Sequence, residues 1–122
     1  MNALVVDDDP QVRKLTQRWL TQAGYSVATS SGFPDALDHV EQERLDALVV
    51  DIRLGEFNGL QLALKAREHL PHARIVMMSA WNDPVLRRDA AHCGATYIVK
   101  PFSSTDLLTA IETDELQAAS AI

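Results

Sequence analysis

At 122 residues, 47% hydrophobic and 23% charged, the chain has the length and composition of one globular domain able to bury its own core. A formal net charge of -6 argues against a nucleic-acid-binding face, because phosphate backbones are gripped by a basic footprint. The lone cysteine, Cys93, excludes an internal disulfide and fits a reducing cytoplasm, the acidic start has no signal-peptide pattern, and no apolar run reaches the ~18 residues of a membrane helix.

In chain order, Ala3–Val6 predicts a first strand that stops at Asp7, Asp8 and Asp9. Asp9-Pro10 is a helix start, with Asp9 as N-cap and proline at the first helical position. Val12, Leu15, Trp19, Leu20 and Ala23 recur at helical spacing, and Gly24 supplies the stop. Tyr25–Thr29 is a second strand, and Ser30, Ser31 and Gly32 turn into a short helix marked by Ala36, Leu37 and Val40. Asp46–Asp51 is a third strand, short and β-branched enough to be buried on both faces.

A loop over 53–58 leads to a helix carrying Leu60, Ala63 and Leu64, ended near Pro71. Arg74–Met78 is the fourth strand, followed by Ser79. Asp83-Pro84 repeats the helix start, and the polar helix that it opens ends at Gly94. Ala95–Val99 is the fifth strand, followed by Lys100-Pro101-Phe102. Ser103 with Asp106 forms a capping-box pattern before Leu107, Leu108 and Ile111. Alternating β–α units with short connections predict a parallel α/β sheet, doubly wound, with helices on both faces. The expected domain is the whole chain, 1–122, with a core over about 1–112 and a helix end and tail over 113–122.

Polar groups gather where the strands end: Asp7 and Asp8, Asp51, Ser79 and Lys100. In open α/β sheets the carboxyl edge of the strands is where ligands bind. An oxygen-only, carboxylate-rich set without His or Cys suits a hard ion, Mg²⁺ or Mn²⁺. A carboxylate held by a metal, a hydroxyl and an ammonium is an arrangement for phosphoryl transfer, with Asp51 attacking in line.

The segments Val5-Val6-Asp7-Asp8-Asp9-Pro10, Leu48-Val49-Val50-Asp51, Met77-Met78-Ser79-Ala80 and Tyr97-Ile98-Val99-Lys100-Pro101-Phe102 resemble the motifs of bacterial response-regulator receiver domains. The likeness runs in order from Met1 to about Glu112. It implies a flavodoxin-like, three-layer fold with five strands in the order 2-1-3-4-5. Asp8 and Ser79 would then flank Asp51, and Lys100 would reach in from two strands away, roughly 10 Å.

The resemblance further implies that Asp51 is the phospho-acceptor and that Lys100 contacts the phosphate. Asp8, Asp51 and the main-chain carbonyl of Arg53 would hold Mg²⁺, with Asp7 acting through water. Ser79 and Tyr97 would be the switch residues, and Pro101 would follow a cis peptide. The implied donor is a histidine kinase or histidine phosphotransfer protein. The implied output passes from strand 5 and its flanking helices to an effector protein or output domain, with room for a homodimer on activation. Such a protein is a cytoplasmic phosphoprotein switch, not an enzyme on a separate substrate, with no direct nucleic-acid contact and no membrane partner.

Gly55 stands where the family usually has proline, which loosens the loop after Asp51. Arg53 and Trp81, each two residues past a strand-end polar group, are expected to shield the phosphoryl group or, for Arg53, to orient water. Set against these readings are blander ones: Asp9 as a cap, Tyr97 as strand packing with a wet hydroxyl, Trp19 as packing. The rival function is a receiver-like adaptor that is never phosphorylated. A flavin carrier on the same fold is a weaker rival, because three aspartates after strand 1 would repel a phosphate.

Overall fold

Short β-branched runs bounded by glycine, proline and aspartate become the strands, and the apolar stripes between them become helices. The computed structural model describes residues 1–120, with side chains through Glu112; the end of the predicted tail, 121–122, lies outside the described residues. The order is β1 (Asn2–Val6), α1 (Pro10–Gln22), β2 (Ser26–Ser30), α2 (Phe33–Gln42), β3 (Ala47–Asp51), β4 (Arg53–Leu54), β5 (Phe57–Asn58), α3 (Gly59–His69), β6 (Arg74–Ser79), α4 (Pro84–His92), β7 (Ala95–Val99) and α5 (Ser104–Ser120).

The main sheet is parallel, in the order β2-β1-β3-β6-β7. Set the two-residue pair β4–β5 aside and this is the predicted 2-1-3-4-5 arrangement of a flavodoxin-like fold. Alternate residues of the central strands feed two cores. Leu4, Val6, Leu48, Val50, Ile75 and Met77 face α2, α3 and α4, while Val5, Val49, Val76 and Met78 meet Leu20 of α1 and Leu107 and Ile111 of α5. Burial on both faces is why these strands read as continuous apolar runs. Each such side chain contributes about 1.5–3 kcal/mol. Among the described residues no helix is long and apolar enough to cross a membrane.

The caps follow local chemistry. Asp9 accepts from the Gln11 N–H at 2.9 Å, and Asp83 accepts from those of Val85 and Leu86 at 2.8 and 3.4 Å. Ser103 and Asp106 satisfy each other's main-chain N–H groups at 3.0 and 3.1 Å, a reciprocal capping box.

Two local expectations need correction. The predicted loop over 53–58 is an antiparallel pair, with Arg53 opposite Asn58 and Leu54 opposite Phe57. Leu54 is buried, Gly55 turns the chain at φ 62°, and the Phe57 ring stacks on Phe33 with centroids 4.8 Å apart. A buried anchor and an aromatic stack therefore restrain a segment that lacks proline. On α1, the side chains that are buried outright are Thr16 and Leu20, while Leu15 is 44% exposed. The helix is rotated so that Thr16, not Leu15, is turned inward with Leu20. Arg67 of α3 is a structural tie that patterning did not show. Its guanidinium donates to the carbonyls of Pro71, Ala73, Cys93 and Gly94 at 2.8–3.1 Å.

Candidate functional site

The parallel sheet brings the ends of β1, β3, β6 and β7 to one edge, and the polar residues there meet. Asp7 follows β1, is fully buried, and is held on every side. Its Oδ1 accepts from the Asp9 N–H at 2.9 Å, its Oδ2 from Lys100 Nζ at 2.8 Å, and its carbonyl from Arg13 Nη1 at 2.7 Å. Asp51 closes β3, is nearly buried, accepts from the Arg53 N–H at 3.3 Å, and lies 3.3 Å from the same Lys100 Nζ. Asp8 is exposed beside them. One carboxylate oxygen from each of Asp7, Asp8 and Asp51 lies within 4.8 Å of the others. Lys100 and Asp7, 93 residues apart in sequence, are thus in direct contact.

Lys100 arrives from the end of β7, where its N–H donates to the Ser79 carbonyl at 2.7 Å and a cis peptide joins it to Pro101. Ser79 is buried one residue past Met78, the register partner of Asp51 on the neighbouring strand. Its hydroxyl accepts from the Trp81 N–H at 3.1 Å. The Trp81 carbonyl in turn accepts from the Tyr97 hydroxyl. Tyr97 is therefore buried with its hydroxyl bonded to the main chain, not wet. The exposed Trp81 indole lies under the Arg53 guanidinium, 6.0 Å from the ring centre.

The electrostatics follow from one ammonium serving several carboxylates. Burial pushes the Asp51 carboxyl above its ordinary value, and the charge of Asp7 pushes it further; Lys100 and the Arg53 N–H pull the other way and do not win. Lys100 sits closer to Asp7 than to Asp51, so its charge leaves Asp51 under-compensated. Burial disfavours the Lys100 ammonium too, but the bond to Asp7 and both carboxylate charges outweigh it, and its pKa is raised. Lys100 is therefore charged across the physiological range. Three clustered carboxylates, of which Lys100 bonds Asp7 and Asp51 alone, leave a negative surplus in a partly buried site, and the donors are all oxygen. That set fits a hard divalent cation.

Among the residues singled out from sequence, Asp7, Asp8, Asp51 and Lys100 come together, Ser79 stands beside them, and Tyr97 connects through Trp81. The Arg53 main chain abuts Asp51 through its N–H. Two residues at the site escaped notice. Arg13 is one helical turn past the Asp9 cap, and only the tertiary fold shows that it folds back onto the Asp7 carbonyl. Gly59 was visible as a glycine, but not for its reason. A Cβ there would stand 2.1 Å from the Asp51 carbonyl oxygen, so α3 begins hard against the strand that carries Asp51.

Comparison with known proteins bears directly on this geometry. A family model described as a response regulator receiver domain matches residues 3–112. The alginate biosynthesis transcriptional regulatory protein AlgB of Pseudomonas aeruginosa is 36% identical over 105 residues, 85% of this chain and 23% of that protein. The transcriptional regulatory protein SrrA of Staphylococcus aureus is 29% identical over 110 residues, 89% of this chain and 45% of that protein. The chain thus spans less than half the length of these curated relatives. A solved response regulator from Burkholderia pseudomallei, with a phosphorylated aspartic acid, a calcium ion and citrate, superposes with TM-score 0.86 at 30% identity, covering 98% of this chain and 72% of that one. A CheY-like receiver domain protein from Methanospirillum hungatei does so with TM-score 0.86 at 28% identity, covering 98% and 97%.

Proposed function

Because this chain belongs to the response regulator receiver domain family of two-component signalling, we propose that Asp51 is its phospho-acceptor and the origin of its switch. The observation that carries this reading is the shared Lys100 ammonium, 2.8 Å from Asp7 and 3.3 Å from Asp51, set against three clustered carboxylates. An oxygen of the Asp51 carboxylate attacks the phosphorus of a phosphohistidine on a histidine kinase or phosphotransfer protein. The P–N bond breaks, its electron pair stays with the departing imidazole, and an acyl phosphate forms on Asp51. Lys100, already between the carboxylates, contacts the phosphoryl oxygens. The Ser79 hydroxyl leaves the Trp81 N–H to donate to the phosphoryl group. Water later cleaves the acyl phosphate, so the chain completes a cycle without turning over a separate substrate.

Asp8, Asp51 and the Arg53 main-chain carbonyl would hold Mg²⁺, with Asp7 acting through water. Bound there, the ion supplies positive charge to the transferring phosphoryl oxygens. The donor is proposed to seat beside Lys100, over a groove of about 330 Å³ lined by Val12, Leu15, Thr16, Trp19, Pro101 and Phe102. An apolar groove sharing Lys100 with the site can hold a donor protein with its phosphohistidine turned toward Asp51. Output is proposed to pass through β7 with α4 and α5 to an effector protein, an output domain or a second copy of the chain, in the cytoplasm. Residues 1 to about 112 are the proposed functional unit.

The test is intact mass after incubation with acetyl phosphate. A gain of about 80 Da, one added phosphoryl group, is expected with Mg²⁺ and not with chelator. No gain at any Mg²⁺ concentration would leave the never-phosphorylated adaptor as the better reading. A second expectation concerns lifetime. With its guanidinium over the Trp81 ring, Arg53 is proposed to shield the acyl phosphate from water together with Trp81, so replacing both with alanine should speed dephosphorylation on the order of ten-fold. An unchanged decay would contradict the shielding role, and a slower one would mean that Arg53 orients the water.

A further inference from the structure

We propose that Arg87 is a positioning residue of the switch, a clamp that holds Tyr97 in its buried rotamer before any phosphoryl group arrives. This rests on the reading of Tyr97 as a switch residue, though not on the transfer chemistry itself.

Trp81 is gripped at both main-chain groups. Its N–H donates to Ser79 Oγ and its carbonyl accepts from Tyr97. The Trp81 main chain thus joins the Ser79 hydroxyl, at the end of β6 beside Asp51, to the Tyr97 hydroxyl of the neighbouring β7. A link of this kind transmits only if the Tyr97 ring has two places to be and a defined preference between them. The hydroxyl bond supplies one part of that preference, and Arg87 supplies another.

The Arg87 guanidinium lies over the face of the Tyr97 ring, 4.8 Å from its centre, within the range of a cation–π interaction. It is also aimed: its Nε donates to Asn82 Oδ1 at 2.6 Å. Asn82 follows Trp81 directly, so the residue that orients the clamp sits on the segment that Ser79 and Tyr97 share. Ring, guanidinium and amide form a closed set. Tyr97 bonds to Trp81, Arg87 covers Tyr97, and Asn82, next to Trp81, holds Arg87. Outward rotation of the ring would break the hydroxyl bond and withdraw the ring from under the cation together. Arg87 also lines, with Tyr97, Phe102, Asp106, Thr109 and Ala110, a groove of about 410 Å³ on the β7 face. Ring position and the shape of that face are therefore coupled through one side chain.

The inference predicts that removing the cation moves the ring outward without unfolding the protein. The full chain is labelled with 3-fluorotyrosine, and Tyr25→Phe assigns the Tyr97 resonance. The inward-to-outward ratio is then read by fluorine NMR without phosphodonor. Arg87→Met, which keeps length and loses charge, should lower the ratio about two- to five-fold, the size of a surface cation–π contact. Arg87→Lys should fall between Met and wild type, because it keeps the charge and loses the planar bond to Asn82. Asn82→Ala should shift the ratio the same way by releasing the guanidinium. An unchanged ratio in Arg87→Met overturns the proposal. Equal shifts in Met and Lys, accompanied by a lower melting temperature, overturn it as well, since that pattern marks a merely structural residue. The unphosphorylated ratio tests the clamp and the mass gain with acetyl phosphate tests the phospho-acceptor, so failure of one is distinguishable from failure of the other.

Discussion

Replacing Gly59 with alanine is expected to destabilise the protein by about 2–4 kcal/mol, combining overpacking with the loss of a buried hydrogen bond. The added methyl would stand 2.1 Å from the Asp51 carbonyl oxygen and 3.0 Å from the Asp51 carbonyl carbon and Ile52 Cα. Every one of these is main chain, so no side chain can swing aside. Ile52 is itself pinned, its N–H donating to the Met78 carbonyl at 2.8 Å. The start of α3 must therefore retreat by about 1 Å, which breaks the 2.7 Å bond from the Gly59 N–H to the Ile52 carbonyl. Urea unfolding reads the cost as a lower midpoint with an unchanged slope. The same retreat pulls on Asp51, the proposed phospho-acceptor. Misplacement of about 1 Å can cost on the order of 100-fold in rate, so the variant should accept phosphate slowly even where it is folded. A Gly59→Ala protein as stable as wild type would show that the contact is not a constraint. Gly55 offers the contrast: its φ of 62° needs glycine, but a Cβ there meets nothing within 4 Å.

The second large effect is at Asp51, and its sign depends on pH and metal. Folding raises this carboxyl above its ordinary 3.8, through burial first and the Asp7 charge second. The folded chain therefore holds the Asp51 proton more tightly than the unfolded chain does. Its contribution to stability is favourable at acid pH and is lost as pH rises from 3.8 through the higher folded value. At neutral pH without metal, Asp51→Asn should be more stable than wild type by about 0.5–2 kcal/mol, the usual scale of charge optimisation. The gap should close as pH falls below about 4, where the wild-type carboxyl is protonated in both states. Saturating Mg²⁺ should reverse the order. Wild type gains about 2.7 kcal/mol at a metal concentration 100 times the dissociation constant, while the asparagine variant has lost a ligand. Thermal melts with chelator and with Mg²⁺ check both halves. Equal stabilisation of both proteins by Mg²⁺ would contradict a metal site built on Asp51.

Much of this was legible in the sequence because the informative signals were local. Asp9-Pro10 and Asp83-Pro84 declare helix starts through a side chain bonding a nearby N–H. The run from Ala47 to Asp51 declares a doubly buried strand by composition. A parallel sheet then delivers every strand end to one edge, so Asp7, Asp51 and Lys100 meet without any signal linking them along the chain. What was not legible depends on tertiary rotation and close approach. Thr16 rather than Leu15 faces the core of α1, a turn of the helix that the apolar stripe alone does not fix. The β4–β5 pair exists because Leu54 is buried and Phe57 finds Phe33, a partner more than twenty residues away. The placement of Arg67 against four carbonyls, and of Arg87 over Tyr97, comes from elements meeting after folding. A long cationic side chain reads from sequence as solvated surface.

Reductive trapping of the phosphorylated protein tests the central claim most directly. After acetyl phosphate and Mg²⁺, borohydride should convert the acyl phosphate to homoserine, and peptide mapping should locate it at Asp51 alone, with none in Asp51→Asn. Homoserine at Asp7 or Asp8, or undiminished labelling of Asp51→Asn, would contradict the assignment of Asp51 as the group that accepts the phosphoryl unit.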